Sequence, residues 1–131
     1  MSAVVLSLSL SAGARAVLVD TVGALYKIYR KGAMAYVGGS FHQGVHSVME
    51  PAGMGLPVLT GPRHKNSAEA LAMIRAGGAA VAKSATEIER ALAAWIEDEG
   101  LRTSAGAKAK QVVEQNAGAT ARTMALVEKY L

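Results

Sequence analysis

Tyr36-Val37-Gly38-Gly39-Ser40-Phe41-His42-Gln43-Gly44-Val45-His46-Ser47-Val48-Met49-Glu50-Pro51-Ala52-Gly53-Met54-Gly55-Leu56-Pro57-Val58-Leu59-Thr60-Gly61-Pro62 reads as strand, glycine-rich loop, helix, strand and second loop, in that order. Short apolar runs joined through glycine turns to a helical pattern are the rhythm of a parallel α/β sheet. In an open sheet of this kind, ligands gather at the carboxyl ends of the strands. Gly38, Gly39 and Gly44 would let backbone N–H groups approach an anion with no Cβ in the way. A helix opening near Ser47 would aim further N–H groups at the same place. Tight βα turns need glycine anyway, so a purely structural loop fits the glycines equally well.

The same rhythm continues to either side. Strands are expected over residues 3–8, 16–19, 34–37, 57–59 and 79–81, each short and bounded by turn residues as buried parallel strands are. Asp20 or Thr21 would cap a helix that carries Leu25, Ile28 and Tyr29 at core spacing and ends near Gly32. Ser47 with Glu50 and Ser84 with Glu87 match the capping box, and Asn66-Ser67-Ala68-Glu69 is a near variant. Beyond Ser84 an apolar stripe of Ile88, Leu92, Trp95 and Ile96 should face the sheet or a neighbouring helix. Two more helices are expected, over 101–116 and 119–130, with Gly118 as the cap between them. No repeat, low-complexity tract or linker divides the chain, which reads as a single unit of 131 residues.

Composition narrows the function. A hydrophobic fraction of 51% with 18% charged residues describes a folded chain, and the absence of cysteine excludes disulfides and thiolate chemistry. A net charge of +4 favours anionic partners. The basic residues are scattered along the chain, however, and one Phe and one Trp give no stacking platform, which argues against nucleic acid. No run approaches the roughly 18 apolar residues of a membrane span. The first ten residues have no early positive charge, so they read poorly as a signal peptide.

Several residues of the central stretch and the loop after it carry chemistry. Glu50 has two readings: a capping-box carboxylate bonded back to the Ser47 amide, or an acceptor for both hydroxyls of a ribose at the loop mouth. Pro51 fits either, since only the first helical hydrogen bond is lost there. His42 and His46 have the spacing of metal ligands on a helix, but they flank glycine in a loop with no third ligand nearby, so no metal site is expected. His46 reads as an imidazole donor for phosphate or carboxylate oxygens, or as a histidine satisfied by local backbone. Arg63 and Lys65 would add positive charge beside the glycine loop if the two strands are neighbours; otherwise they are ordinary solvated loop charges.

From residue 17 to the end, the chain resembles the C-terminal portion of the bacterial Kdo (3-deoxy-D-manno-octulosonate) transferases. The resemblance rests on Asp20-Thr21-Val22-Gly23, Val37-Gly38-Gly39-Ser40, Gly44-Val45-His46-Ser47, Met49-Glu50-Pro51, the run from Gly55 to Pro62, Asn66 with Glu69, and Asn116-Ala117-Gly118-Ala119. Ser47 stands where the family usually has Asn, and Ala24 where many members have Glu. The resemblance implies a GT-B architecture with a Rossmann-like parallel sheet and flanking helices, and makes residues 1–131 a partial C-terminal nucleotide-sugar-binding domain. It implies CMP-Kdo as donor, without a metal ion or other cofactor. Gly38, Gly39, Ser40, Gly44, His46 and Ser47 would line the phosphate and Kdo side, Glu50 would take the cytidine ribose, and Asn66 would join them.

By the same resemblance the catalytic carboxylate, the lipid A precursor site and the membrane-associating surface belong to an N-terminal domain outside this sequence. Part of the first βαβ segment of the C-terminal domain, with basic donor contacts, also falls outside it. The whole protein is then expected to serve lipopolysaccharide synthesis at the cytoplasmic side of the inner membrane. The chain alone is expected to be inactive and to self-associate through exposed apolar surface. Two rivals remain: the donor domain of another GT-B transferase using a UDP- or GDP-sugar, and a binding or assembly module that keeps the fold without the chemistry.

Overall fold

The computed structural model describes residues 19 and 23–130. Within them lie a helix α1 (Leu25–Tyr29), strand β1 (Ala35–Val37), helix α2 (Met49–Gly53), strand β2 (Val58–Thr60), helix α3 (Ala68–Ala76), strand β3 (Ala79–Val81) and helices α4 (Ala85–Glu97) and α5 (Glu99–Glu128). The strands form one parallel sheet in the order β1-β2-β3. Tyr36 pairs with Leu59, and Leu59 with Ala80. The strand expected over 3–8, residues 16–18 of the strand expected over 16–19, and the caps at Asp20 and Thr21 lie outside the described residues.

The central strand is buried along its whole length, because a parallel sheet is covered on both faces. On one face Val37, Val58 and Ala79 join Val45, Val48, Ala52, Ala70, Met73, Ala109 and Val112 in the larger core, under α2, α3 and α5. On the other face Leu59 meets Ala82 and Trp95, with Ile88 and Leu92 of α4 packed alongside. Strand β2 runs one residue later than the expected 57–59. Pro57 has no N–H for the ladder, although its carbonyl accepts from the Ala35 amide at 3.0 Å.

Helix α3 is capped by Ser67, whose hydroxyl accepts from the Ala70 amide at 3.0 Å, and it ends at Gly77 with φ 81°. Helix α4 has the expected cap: Ser84 Oγ accepts from the Glu87 amide at 3.2 Å, while the Glu87 carboxylate accepts from the Lys83 amide at 2.7 Å. The return bond goes one residue earlier than the capping box places it.

Four expectations are corrected. Ile96 leaves the α4 stripe and is 65% exposed, because the helix meets the sheet through Trp95, Leu92 and Ile88 instead. Helix α1 stops at Tyr29, short of Gly32, and buries no residue fully; Leu25 and Ile28 remain open. The two C-terminal helices are one, α5, which runs unbroken through Gly118. Glycine in a helix interior costs only about 1 kcal/mol relative to alanine, too little to end a helix whose neighbours continue it. Finally, Ser47 caps nothing: the N-cap of α2 is Val48, with no side-chain cap hydrogen bond.

Candidate functional site

Because β1 and β2 are neighbours, the loops leaving their carboxyl ends lie side by side. The first runs from Gly38 to Val48 and the second from Gly61 to Ser67. The first loop turns at Gly39 (φ 89°) and Gly44 (φ 129°), where L side chains are strained. Both positions are also crowded. A Cβ on Gly39 would meet the Gly44 carbonyl and stand 2.7 Å from the His46 ring; one on Gly44 would stand 2.8 Å from the Asn66 carboxamide. The turns close on themselves: the His42 and Gly44 amides donate to Gly39 O at 3.0 and 3.1 Å, and His46 N donates to Gly38 O at 3.1 Å.

The second loop fastens the first. Ser40 Oγ, fully buried, accepts from the Gly61 amide at 2.6 Å and from Thr60 Oγ1 at 3.0 Å. Ser40 O accepts from the Arg63 amide at 2.8 Å, and Arg63 O accepts from Val45 N at 2.9 Å. The Arg63 guanidinium donates to the His42 carbonyl. The Asn66 carboxamide takes both backbone groups of Val45, donating to its carbonyl at 3.0 Å and accepting from its amide at 3.2 Å. A loop held this way is preorganised before any ligand arrives.

The Ser40 hydroxyl is buried against Thr60 and Gly61, and the Asn66 carboxamide, on an exposed residue, is bonded to both backbone groups of Val45. The Gly44 amide is likewise bonded within the loop. The amides of Gly39, Ser40 and Phe41 find no acceptor among the described residues. His46, Ser47 and Glu50 are exposed around the loop's end. Helix α2 has only five residues, so the dipole of a longer helix does not operate there.

Glu50 is the second residue of α2 and has no hydrogen-bond or ion-pair partner among the described residues. Helix α1 packs on α2 and brings Tyr29 close. Burial, and secondarily the Glu50 carboxylate, push the Tyr29 phenol above its ordinary pKa. No group of three or more histidine, aspartate or glutamate side chains suited to a metal ion occurs among the described residues.

The sequence reading gave no site role to Thr60 or Tyr29, and it expected Arg63 beside the glycine loop only as added positive charge, a placement that the pairing of β1 with β2 bears out. Thr60 is fully buried beneath Ser40. Arg63 is a strap across the loop, and Tyr29 is a neighbour of Glu50. Gly61 carried a signal for the first, since it leaves a buried strand where a Cβ would stand 2.7 Å from Ser40 Oγ. For Arg63 and Tyr29 the contacts join distant parts of the chain, and no local pattern announces them.

The comparisons with known proteins agree on one family. The 3-deoxy-D-manno-octulosonic acid transferase of Haemophilus influenzae is 32% identical over 118 residues, 88% of this chain and 28% of that protein. The corresponding enzyme of Chlamydophila psittaci is 25% identical over 118 residues, 88% of this chain and 27% of its own length. The crystal structure of the C-terminal CMP-Kdo binding domain of WaaA from Acinetobacter baumannii matches with a TM-score of 0.68 at 25% identity, over 74% of this chain and 52% of that one. The chain is thus similar to the Kdo transferases in sequence, and in structure to the C-terminal CMP-Kdo binding domain of one of them. No protein-family model matches it.

The chain thus spans 28% and 27% of the two transferases it matches. Its parallel sheet with flanking helices is the expected fold, shared with the C-terminal domain of WaaA. No described helix is long and apolar enough to cross a membrane.

Proposed function

We propose that the chain is the donor-binding part of a Kdo transferase and holds CMP-Kdo at the carboxyl edge of β1 and β2. One observation carries the reading: Glu50, released from the capping role, presents a carboxylate with no partner among the described residues, beside a glycine loop held by its own hydrogen bonds. A carboxylate so placed accepts the two hydroxyls of the cytidine ribose, while His46, Ser47 and the amides of Gly39 and Ser40 meet the phosphate and the sugar acid. Gly38 and Gly44 serve as backbone that lets the donor approach.

Glycosyl transfer also needs a base to take the proton of the acceptor hydroxyl. The proposal places that base, and the lipid A precursor, in a partner domain outside these residues, so that the chain alone binds donor without turning it over. The leaving phosphate is stabilised by hydrogen-bond donors, with no metal ion assigned. The whole enzyme then works at the cytoplasmic side of the inner membrane in lipopolysaccharide synthesis. Support comes from the similarity to named Kdo transferases and to a CMP-Kdo binding domain.

Calorimetric titration with CMP, UMP and GMP tests the proposal. CMP is expected to bind in preference to the other two, and Glu50→Ala to weaken it about tenfold or more, the effect of losing a hydrogen bond to a charged group. Preference for UMP or GMP would assign a different nucleotide sugar, and absence of CMP binding would overturn the donor reading.

A further inference from the structure

We infer that Asn66 and Arg63, on the second loop, are positioning residues that set the attitude of His46 toward the donor phosphate; the inference rests on the donor reading above. The Val45–His46 peptide is held from both sides. Its carbonyl accepts from Asn66 Nδ2 at 3.0 Å, and its N–H, on His46, donates to Gly38 O at 3.1 Å. The Val45 amide is gripped as well, by Asn66 Oδ1 and Arg63 O. The peptide plane from which His46 projects therefore has little rotational freedom.

Arg63 fixes the other end of the turn by donating to the His42 carbonyl. The Asn66 contact needs the bare Cα of Gly44, which lies against the Asn66 carboxamide. Bonded to both backbone groups of Val45, the Asn66 carboxamide acts on a ligand through the loop. The imidazole itself lies over Gly39, beside an amide with no acceptor among the described residues. An anion meeting that amide meets His46 as well.

Such a clasp affects the phosphate and leaves the nucleoside alone, because Glu50 sits on a separate element, α2. Cytidine and CMP distinguish the two. In calorimetry with the 131-residue chain, Asn66→Ala and Arg63→Met are each expected to weaken CMP about fivefold to tenfold, the effect of one lost hydrogen bond. Cytidine binding should stay within a factor of about two. Arg63→Lys, which keeps a donor for the His42 carbonyl, should recover most of the loss. Adding Asn66→Ala to His46→Ala should cost nothing further, since coupled residues are not additive.

Equal losses for CMP and cytidine, or additive losses in the double variant, would overturn the positioning role and leave the donor reading standing. A wild-type chain that binds no CMP would overturn the donor reading, and this inference with it.

Discussion

Glu50 and Tyr29 show how much a single carboxylate depends on where its helix begins. Four residues of sequence, Ser47 to Glu50, fit a capping box, yet the backbone enters α2 at Val48 and leaves Glu50 one place too early to bond back. The same carboxylate then acts on Tyr29, whose phenol is held above its usual pKa first by burial and second by Glu50. A raised pKa means that the folded chain keeps the phenolic proton when the unfolded chain has lost it. The associated stability is present below pH 10 and is lost as pH rises through the folded value. Glu50→Gln is expected to lower the Tyr29 titration seen by NMR while leaving it above the ordinary value, because burial is the larger cause. An unchanged titration would mean that the carboxylate is not beside the ring. Glycine signals and candidate ligands around residues 38–50 could be read from sequence, whereas this pairing across α1 and α2 could not, since no local spacing encodes it.

Among the elements, the three described strands were readable to within a residue because β-branched and small apolar runs between glycines have few alternatives in a parallel sheet. The helix ends were less so. Ser67 and Ser84 do cap, but Ser47 and Gly118 carry the same local signals without the corresponding roles. In α5 the deciding factor is the packing of Ala105, Ala109 and Val112 against α2 and α3, which anchors one end of the helix and lets it propagate through a weak residue. Gly118 does not have a positive φ, and a Cβ there would meet only the Arg122 guanidinium, at 3.2 Å. Gly118→Ala should therefore stabilise the chain by about 0.5–1 kcal/mol in denaturant unfolding. Destabilisation would instead indicate a left-handed cap and two separate helices.

For the molecule as a whole, the buried core and the proposed donor site reside in the sheet and the helices that sandwich it, and the far part of α5 is separate from both. Among the described side chains, every α5 residue that reaches the core lies between Ala105 and Val113. From residue 114 onward none of the described side chains of the helix is buried; Met124 is 56% exposed and Leu126 57%. Those last turns extend about 22 Å at 1.5 Å per residue, and being exposed they contribute little hydrophobic burial to folding. A chain shortened to residues 1–115 is expected to unfold within about 1 kcal/mol of the full chain, as surface changes do, and to bind CMP with unchanged affinity. Val112→Ala, which removes buried methyl groups from the larger core, should cost about 1–3 kcal/mol. Denaturant midpoints for the three chains separate the cases. A shortened chain that loses more stability than Val112→Ala would show that the distal helix belongs to the folding unit. A shortened chain that keeps its stability but loses CMP would place part of the donor site on that helix, away from the loops of β1 and β2.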